Sequence, residues 1–132
     1  MYDTKHLSMQ PKSVFLTEEG DFKLADWGVI IDEKEYERYF KEGRMTQIEN
    51  VSYQSPELLR KEPGTHTSDM WSLGCIIYEM CTLNRAFTDK NSALEKEPAP
   101  ILGDYSPTFK ALVFRLLDKD GTTRPTAEDI LA

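Results

Sequence analysis

The stretch from Thr67 to Asn84 constrains the fold more than any other part of the chain. Within it Met70, Trp71, Leu73, Cys75, Ile76, Ile77, Tyr78, Met80, Cys81 and Leu83 are apolar. On a helix these positions cover most of the circumference, and a helix apolar nearly all round is buried on nearly all sides. Its 18 residues make a rod of about 27 Å, the width of a small domain. Asp69 and Glu79 interrupt it, and it is too short to read as a membrane span. Thr67 or Ser68 offers an N-cap hydroxyl, and Asp69 brings a negative charge to the first turn. The expectation is a central pillar on which the other segments pack.

Those segments are short. Ser13–Thr17 and Phe22–Ala25 are β-prone runs joined by a turn containing Gly20, which predicts a β-hairpin. Asp26-Trp27-Gly28 ends the second run, and Asp32 to Glu42 has the spacing of a helix stopped by Gly43. Ser55 before Pro56 predicts a short helix to Arg60 with Ser at the cap and Pro at the first position. The chain then reads as irregular from Asn84 to about Tyr105, where Pro98 and Pro100 restrict helix. Phe109, Leu112, Val113, Leu116 and Leu117 follow the i, i+3, i+4, i+7, i+8 pattern of an amphipathic helix capped by Ser106. Thr126 and Asp129 form a capping-box pattern for a last short helix. The fold class is therefore mainly α, with one hairpin near the N-terminus and a central buried helix.

With a net charge of −7 the chain lacks the clustered Lys and Arg of a nucleic-acid surface. No signal peptide, lipidation motif or long apolar run is visible, so no membrane association and a cytoplasmic location are expected. Cys75 and Cys81, six apart on the pillar, point in different directions and read as reduced packing residues.

The order of the motifs is more specific than any one of them. Asp26-Trp27-Gly28 after a hairpin, Ser55-Pro56-Glu57, then Ser68-Asp69-Met70-Trp71-Ser72-Leu73-Gly74, then Arg124-Pro125, resembles the C-terminal lobe of eukaryotic protein kinases. Phe15-Leu16-Thr17, Lys23-Leu24, Trp71 to Met80 and Tyr105-Ser106-Pro107 are most similar to the NIMA-related (Nek) branch. The resemblance runs from about His6 to Ala132 and implies a partial kinase-like domain over residues 1–132, from the catalytic loop to the C-terminal helices, with no N-lobe segment before His6.

The family's catalytic loop reads His-Arg-Asp-Leu-Lys-Pro-x-Asn, and its counterpart here runs from His6 to Ser13. The resemblance places Ser8 where the family has its base Asp, Gln10 at the phosphate-facing Lys and Ser13 at the magnesium-binding Asn. A hydroxyl carries no charge at pH 7, and general-base catalysis is worth about 10²–10⁴-fold, or about 3–5 kcal/mol of barrier. Asp26 keeps the metal-binding position of the family's Asp-Phe-Gly, with Trp27 as the aromatic. Leu7 replaces the arginine that pairs with a phosphorylated activation loop, a pairing that needs a guanidinium. Thr46 and Ser52 remain as hydroxyls that another enzyme could phosphorylate. The implied scaffold residues are the ion pair Glu57–Arg124, Asp69 bonded to backbone of the catalytic loop, and Trp71 in the pillar. His6 is expected to be a core residue of the loop, and His66 to be solvated.

The expectation is an inactive protein kinase homologue, a Nek-like pseudokinase lobe that acts as a scaffold or regulatory module. ATP and Mg²⁺ serve the family and are doubtful here. A protein partner would dock on an apolar helix surface left uncovered on the pillar. Two alternatives stand beside it: a Ser/Thr kinase fragment with residual phosphotransfer when another chain supplies an N-lobe, and a truncated product without a role.

Overall fold

The computed structural model describes residues 5–25 and 51–132. The expectations for Asp26, Trp27, Thr46 and the helix over Asp32–Glu42 fall outside them. A 3-10 turn over Pro11–Ser13 leads into the antiparallel hairpin of β1 (Val14–Leu16) and β2 (Phe22–Leu24), with Val14 opposite Leu24 and Leu16 opposite Phe22. Gly20 takes φ +89 in the turn, a conformation that favours glycine. Helices follow in the order α1 (Pro56–Leu59), α2 (His66–Thr82), α3 (Lys90–Glu95), α4 (Pro107–Leu116) and α5 (Ala127–Leu131). The fold is mainly α.

The pillar is α2. Met70, Trp71, Cys75, Ile76 and Tyr78 are buried, and Leu73, Ile77 and Cys81 are partly buried against the same core. Burial pushes the Cys75 thiol up, so it is protonated packing. Cys75 and Cys81 are unpaired with each other. The rod's exposed apolar side chains lie at its C-terminal end, where Met80 and the cap residue Leu83 are exposed. Trp71 stacks on Phe87 with ring centres 5.0 Å apart and planes at 12°. Val113, Leu116 and Leu117 bring α4 against the pillar and complete the core.

Three local expectations change. The N-cap of α2 is Thr65, not Thr67 or Ser68, because Ser68 sits one turn in and its Oγ accepts from the Thr65 N–H at 3.0 Å. His66 is consequently the first residue of the helix, and it is exposed. Ser55 precedes α1 in an extended conformation, but its side chain makes no cap bond. Third, the stretch after Asn84 is not wholly irregular. Asp89 accepts from the Ser92 N–H at 2.7 Å, and Ser92 Oγ accepts from the Asp89 N–H at 3.2 Å, which starts α3 ahead of the two prolines. Ser106 and Thr126 cap α4 and α5 as their sequences predict.

Gly74 is where α4 crosses the pillar. A Cβ there would lie 2.8 Å from Leu116 Cβ and 3.0 Å from Leu117 Cδ2. Alanine is a better helix former by about 1 kcal/mol, but this contact is between stiff stems of two helices. Gly74→Ala is therefore expected to destabilise by about 1–3 kcal/mol, read as a lower urea midpoint. An unchanged or higher midpoint would mean that α4 moves off the pillar without cost.

Candidate functional site

Two polar clusters are built on the pillar's N-terminal half. In the first, Asp69 reaches across to the loop at His6. Its Oδ2 accepts from the His6 N–H at 2.8 Å and its Oδ1 from the Leu7 N–H at 2.7 Å. Burial raises the Asp69 pKa, and the two backbone bonds pull it the other way without cancelling the rise. Gln54 Nε2 donates to the Leu7 carbonyl at 3.3 Å. Leu7 is thereby held at φ 59, a left-handed conformation that costs a non-glycine residue of order 1–3 kcal/mol.

That turn folds Ser8 back over its neighbour's ring. His6 is buried, and its Nε2 lies 2.9 Å from the Ala25 carbonyl oxygen. A carbonyl only accepts, so Nε2 carries the hydrogen and Nδ1 is the bare acceptor. Both the Ser8 N–H and the Ser8 hydroxyl donate to Nδ1, each at 3.3 Å. His6 thus packs in the loop and also bonds a side chain that the sequence reading had paired with nothing.

Of the residues implied for a metal, Asp26 lies outside the described residues and Ser13 lies inside them. Ser13 is fully buried with no bonding partner for its Oγ, and it tethers the hairpin through its backbone, with the Ala25 N–H donating to the Ser13 carbonyl at 2.8 Å. Gln10 is half-buried, and the Ser13 N–H donates to its carbonyl at 2.8 Å. Among the described residues no group of three or more His, Cys, Asp or Glu is arranged to hold a metal.

The second cluster ties the end of the chain to α1 and the pillar. Arg124 Nη1 lies 2.9 Å and Nη2 3.2 Å from the two Glu57 carboxylate oxygens, and both residues are buried. Arg124 also donates to the Thr67 carbonyl at 2.7 Å and to the Asp118 carbonyl at 2.9 Å. Ser68 Oγ donates to Glu57 at 2.7 Å. Burial pushes the Glu57 carboxyl up, but the bonds from Arg124 and Ser68 outweigh it and its pKa ends below the ordinary value. The sequence reading missed Ser68 as a member of this cluster and missed Lys119. Lys119 Nζ sits 4.7 Å above the Phe87 ring and 5.4 Å above Trp71, and it donates to the Ala93 carbonyl at 2.9 Å. Nothing in the periodicity marks a lysine in a turn as a lid on the core.

Ser52 differs from its expected role as an accessible phosphorylation site. It is buried, and Arg85 Nη1 donates to its Oγ at 3.3 Å. No helix among the described residues is long and apolar enough to cross a membrane.

The family model for the protein kinase domain matches residues 3–132. The chain is 30% identical over 135 residues to serine/threonine-protein kinase Nek1 of Mus musculus, covering 96% of this chain and 11% of that protein. It is 34% identical over 134 residues to Nek4 of the same organism, covering 96% of this chain and 16% of the relative. Against the probable serine/threonine-protein kinase nek3 of Dictyostelium discoideum it is 33% identical over 138 residues, covering 96% and 12% respectively. The chain thus spans only a small part of the length of these relatives.

Proposed function

The chain belongs to the protein kinase family, and from that premise we propose that it is a catalytically impaired, Nek-like C-lobe that acts as a scaffold or regulatory binding module. One observation supports the reading. The resemblance assigns Ser8 to the position of the family's carboxylate base, and the Ser8 hydroxyl lies on His6 Nδ1 at 3.3 Å. A hydroxyl held this way neither carries charge nor faces a substrate hydroxyl as a proton acceptor, and general-base help worth about 10²–10⁴-fold is lost. Gln10 and Ser13 add the loss of a phosphate-facing cation and a metal ligand, although such losses do not sum.

The scaffold, by contrast, is kept. Asp69, Trp71, Glu57 and Arg124 are all engaged in the contacts described above. A chain that retains the supports and not the reacting groups suits binding better than turnover. The apolar side chains left exposed, Met80 and Leu83 at the end of α2 and Phe15, Leu16 and Phe22 on the hairpin, support a protein partner.

Two measurements test the reading. In a peptide phosphotransfer assay with ATP and Mg²⁺ the chain is expected to stay at background, and turnover near the family's roughly 1–100 s⁻¹ would overturn the proposal. In a thermal-shift titration millimolar ATP and Mg²⁺ are expected to leave the midpoint unchanged. A ligand at 100 times its Kd would add about 2.7 kcal/mol, which such a scan registers clearly.

A further inference from the structure

We propose that Ser106 is a phosphorylation site for a proline-directed serine/threonine kinase, and that the phosphate strengthens the helix it caps. The chain holds two Ser-Pro pairs, Ser55-Pro56 and Ser106-Pro107, and no Thr-Pro pair. A proline after the acceptor serine has no N–H and a fixed φ. A kinase groove with no acceptor at that position takes Ser-Pro and rejects a residue whose amide would be buried there unpaired. In sequence the two pairs are equal, and the structure separates them. Ser55 and Pro56 are fully buried, beside the Glu57 that Arg124 holds. Ser106 and Pro107 are exposed, and so are Asp104, Tyr105 and Thr108 on either side of them.

The backbone is already close to what a kinase groove requires. Ser106 is extended, with φ −61 and ψ 148, and residues 96–106 form no helix or strand. To lie in a groove the chain must also open the first turn of α4, at Pro107 and Thr108. Two bonds span that turn: the Phe109 N–H donates to Ser106 Oγ at 3.1 Å and the Lys110 N–H to the Ser106 carbonyl at 3.0 Å. The buried residues of the helix, Val113 and Leu116, lie further along and stay packed while its end frays. In the step, Ser106 Oγ bonds to the γ-phosphorus of ATP, and the bond from that phosphorus to the β,γ-bridging oxygen breaks with its electron pair going to ADP. The hydroxyl proton passes to the modifying kinase's base. When the turn closes again, the phosphate oxygens replace Oγ as acceptor for the Phe109 N–H, and about −1.5 to −2 of charge sits at the positive end of the helix. Lys110, one turn along, adds a cation. Because α4 carries Val113 and Leu116 into the core, the gain reaches the pillar. The inference uses none of the catalytic-loop residues and stands apart from the binding role.

The test incubates the full chain with a mitogen-activated protein kinase, ATP and Mg²⁺, and locates phosphate by peptide mass mapping. The expected result is phosphate on Ser106 that accumulates roughly tenfold or more faster than on Ser55 of the same molecules, because Ser55 becomes reachable only when the chain unfolds. That comparison needs no variant. Pro107→Ala, at a first helical position where alanine is tolerated, is expected to fold by circular dichroism and to slow labelling of Ser106 by roughly tenfold or more. The phosphorylated chain is expected to melt about 2–5 °C above the unmodified chain at low ionic strength, with the gain shrinking in molar salt. No phosphate on Ser106, equal labelling of Ser55, undiminished labelling of Pro107→Ala, or a melting point that fails to rise on phosphorylation would each overturn the proposal.

Discussion

Arg124→Ala is expected to destabilise the chain by about 3–5 kcal/mol, because it leaves the Glu57 carboxylate buried without its cation. Ser68 Oγ would still donate to it, at 2.7 Å, but the Thr67 and Asp118 carbonyls would lose their guanidinium donor as well. The loss is large beside a total stability of about 5–15 kcal/mol for a domain. Its origin is checked by a double-mutant cycle with Glu57→Gln in urea unfolding. If the stranded charge is the cause, Arg124→Ala costs markedly less in the Glu57→Gln background. Equal costs in both backgrounds would assign the effect to the carbonyl bonds instead.

The pH dependence supplies a second signature of the same pair. In the native chain the folded-state pKa of Glu57 lies below its ordinary 4.5. A depressed carboxyl contributes stability that is present above the ordinary value and lost as pH falls through the folded value. Removing Arg124 takes away a hydrogen bond and the charge that lower this pKa and leaves burial, the largest cause and one that raises it, against the weaker pull of the Ser68 bond. The contribution then changes sign, and acidification through the region above 4.5 relieves the stranded carboxylate. Arg124→Ala should accordingly lose less stability between pH 7 and pH 5 than the native chain does, and Glu57→Gln/Arg124→Ala should lack this difference.

The sequence made the frame of the fold legible where local pattern and burial agree. The hairpin that sets Val14 opposite Leu24, found from two β-prone runs and the turn at Gly20, and the apolar positions of α4 and its cap are each set by neighbours a few residues away, so local pattern finds them. The pillar was legible because apolar residues all round leave a helix nowhere to go but inside. Its cap was not. Thr65, Thr67 and Ser68 are three hydroxyls within four residues, and the choice is settled by Ser68 bonding both the Thr65 amide and the distant Glu57. The helix at Lys90–Glu95 lies wholly before the prolines at 98 and 100 that restrict helix, and its start is carried by the reciprocal cap of Asp89 and Ser92.

The candidate site was legible only as residue types. The resemblance to the family implies Ser8 in place of an acid, but it does not give the hydroxyl's direction. It depends on Leu7 being held left-handed, and that depends on Asp69, 63 positions from His6. No window on the sequence contains both. The same holds for Lys119, whose place above Phe87 and Trp71 is fixed by the packing of the chain's last third on the pillar.

Trp71 is where that packing converges, and its loss is the second large expected effect. The side chain is fully buried, stacks on Phe87, and lies 5.2 Å from the Arg124 guanidinium carbon and 5.4 Å from Lys119 Nζ. Truncation to alanine opens a cavity at the middle of the rod, and tryptophan or phenylalanine to alanine in a core costs about 3–5 kcal/mol. Two cations that the indole face stabilises would lose it, adding about 0.5–1 kcal/mol for the half-exposed Lys119 and about 2 kcal/mol for the buried Arg124. Trp71→Phe separates the terms. It keeps a ring against Phe87 and removes the indole Nε1–H, which is buried without a hydrogen-bond partner. An unpaired buried donor carries a desolvation cost of about 1–3 kcal/mol, so its removal offsets part of the volume lost. Trp71→Ala is therefore expected to leave the chain largely unfolded at 25 °C by circular dichroism, whereas Trp71→Phe stays folded with a urea midpoint only modestly reduced. Similar losses for the two variants would mean that the indole's own shape, and not a ring in the stack, holds α2 to Phe87.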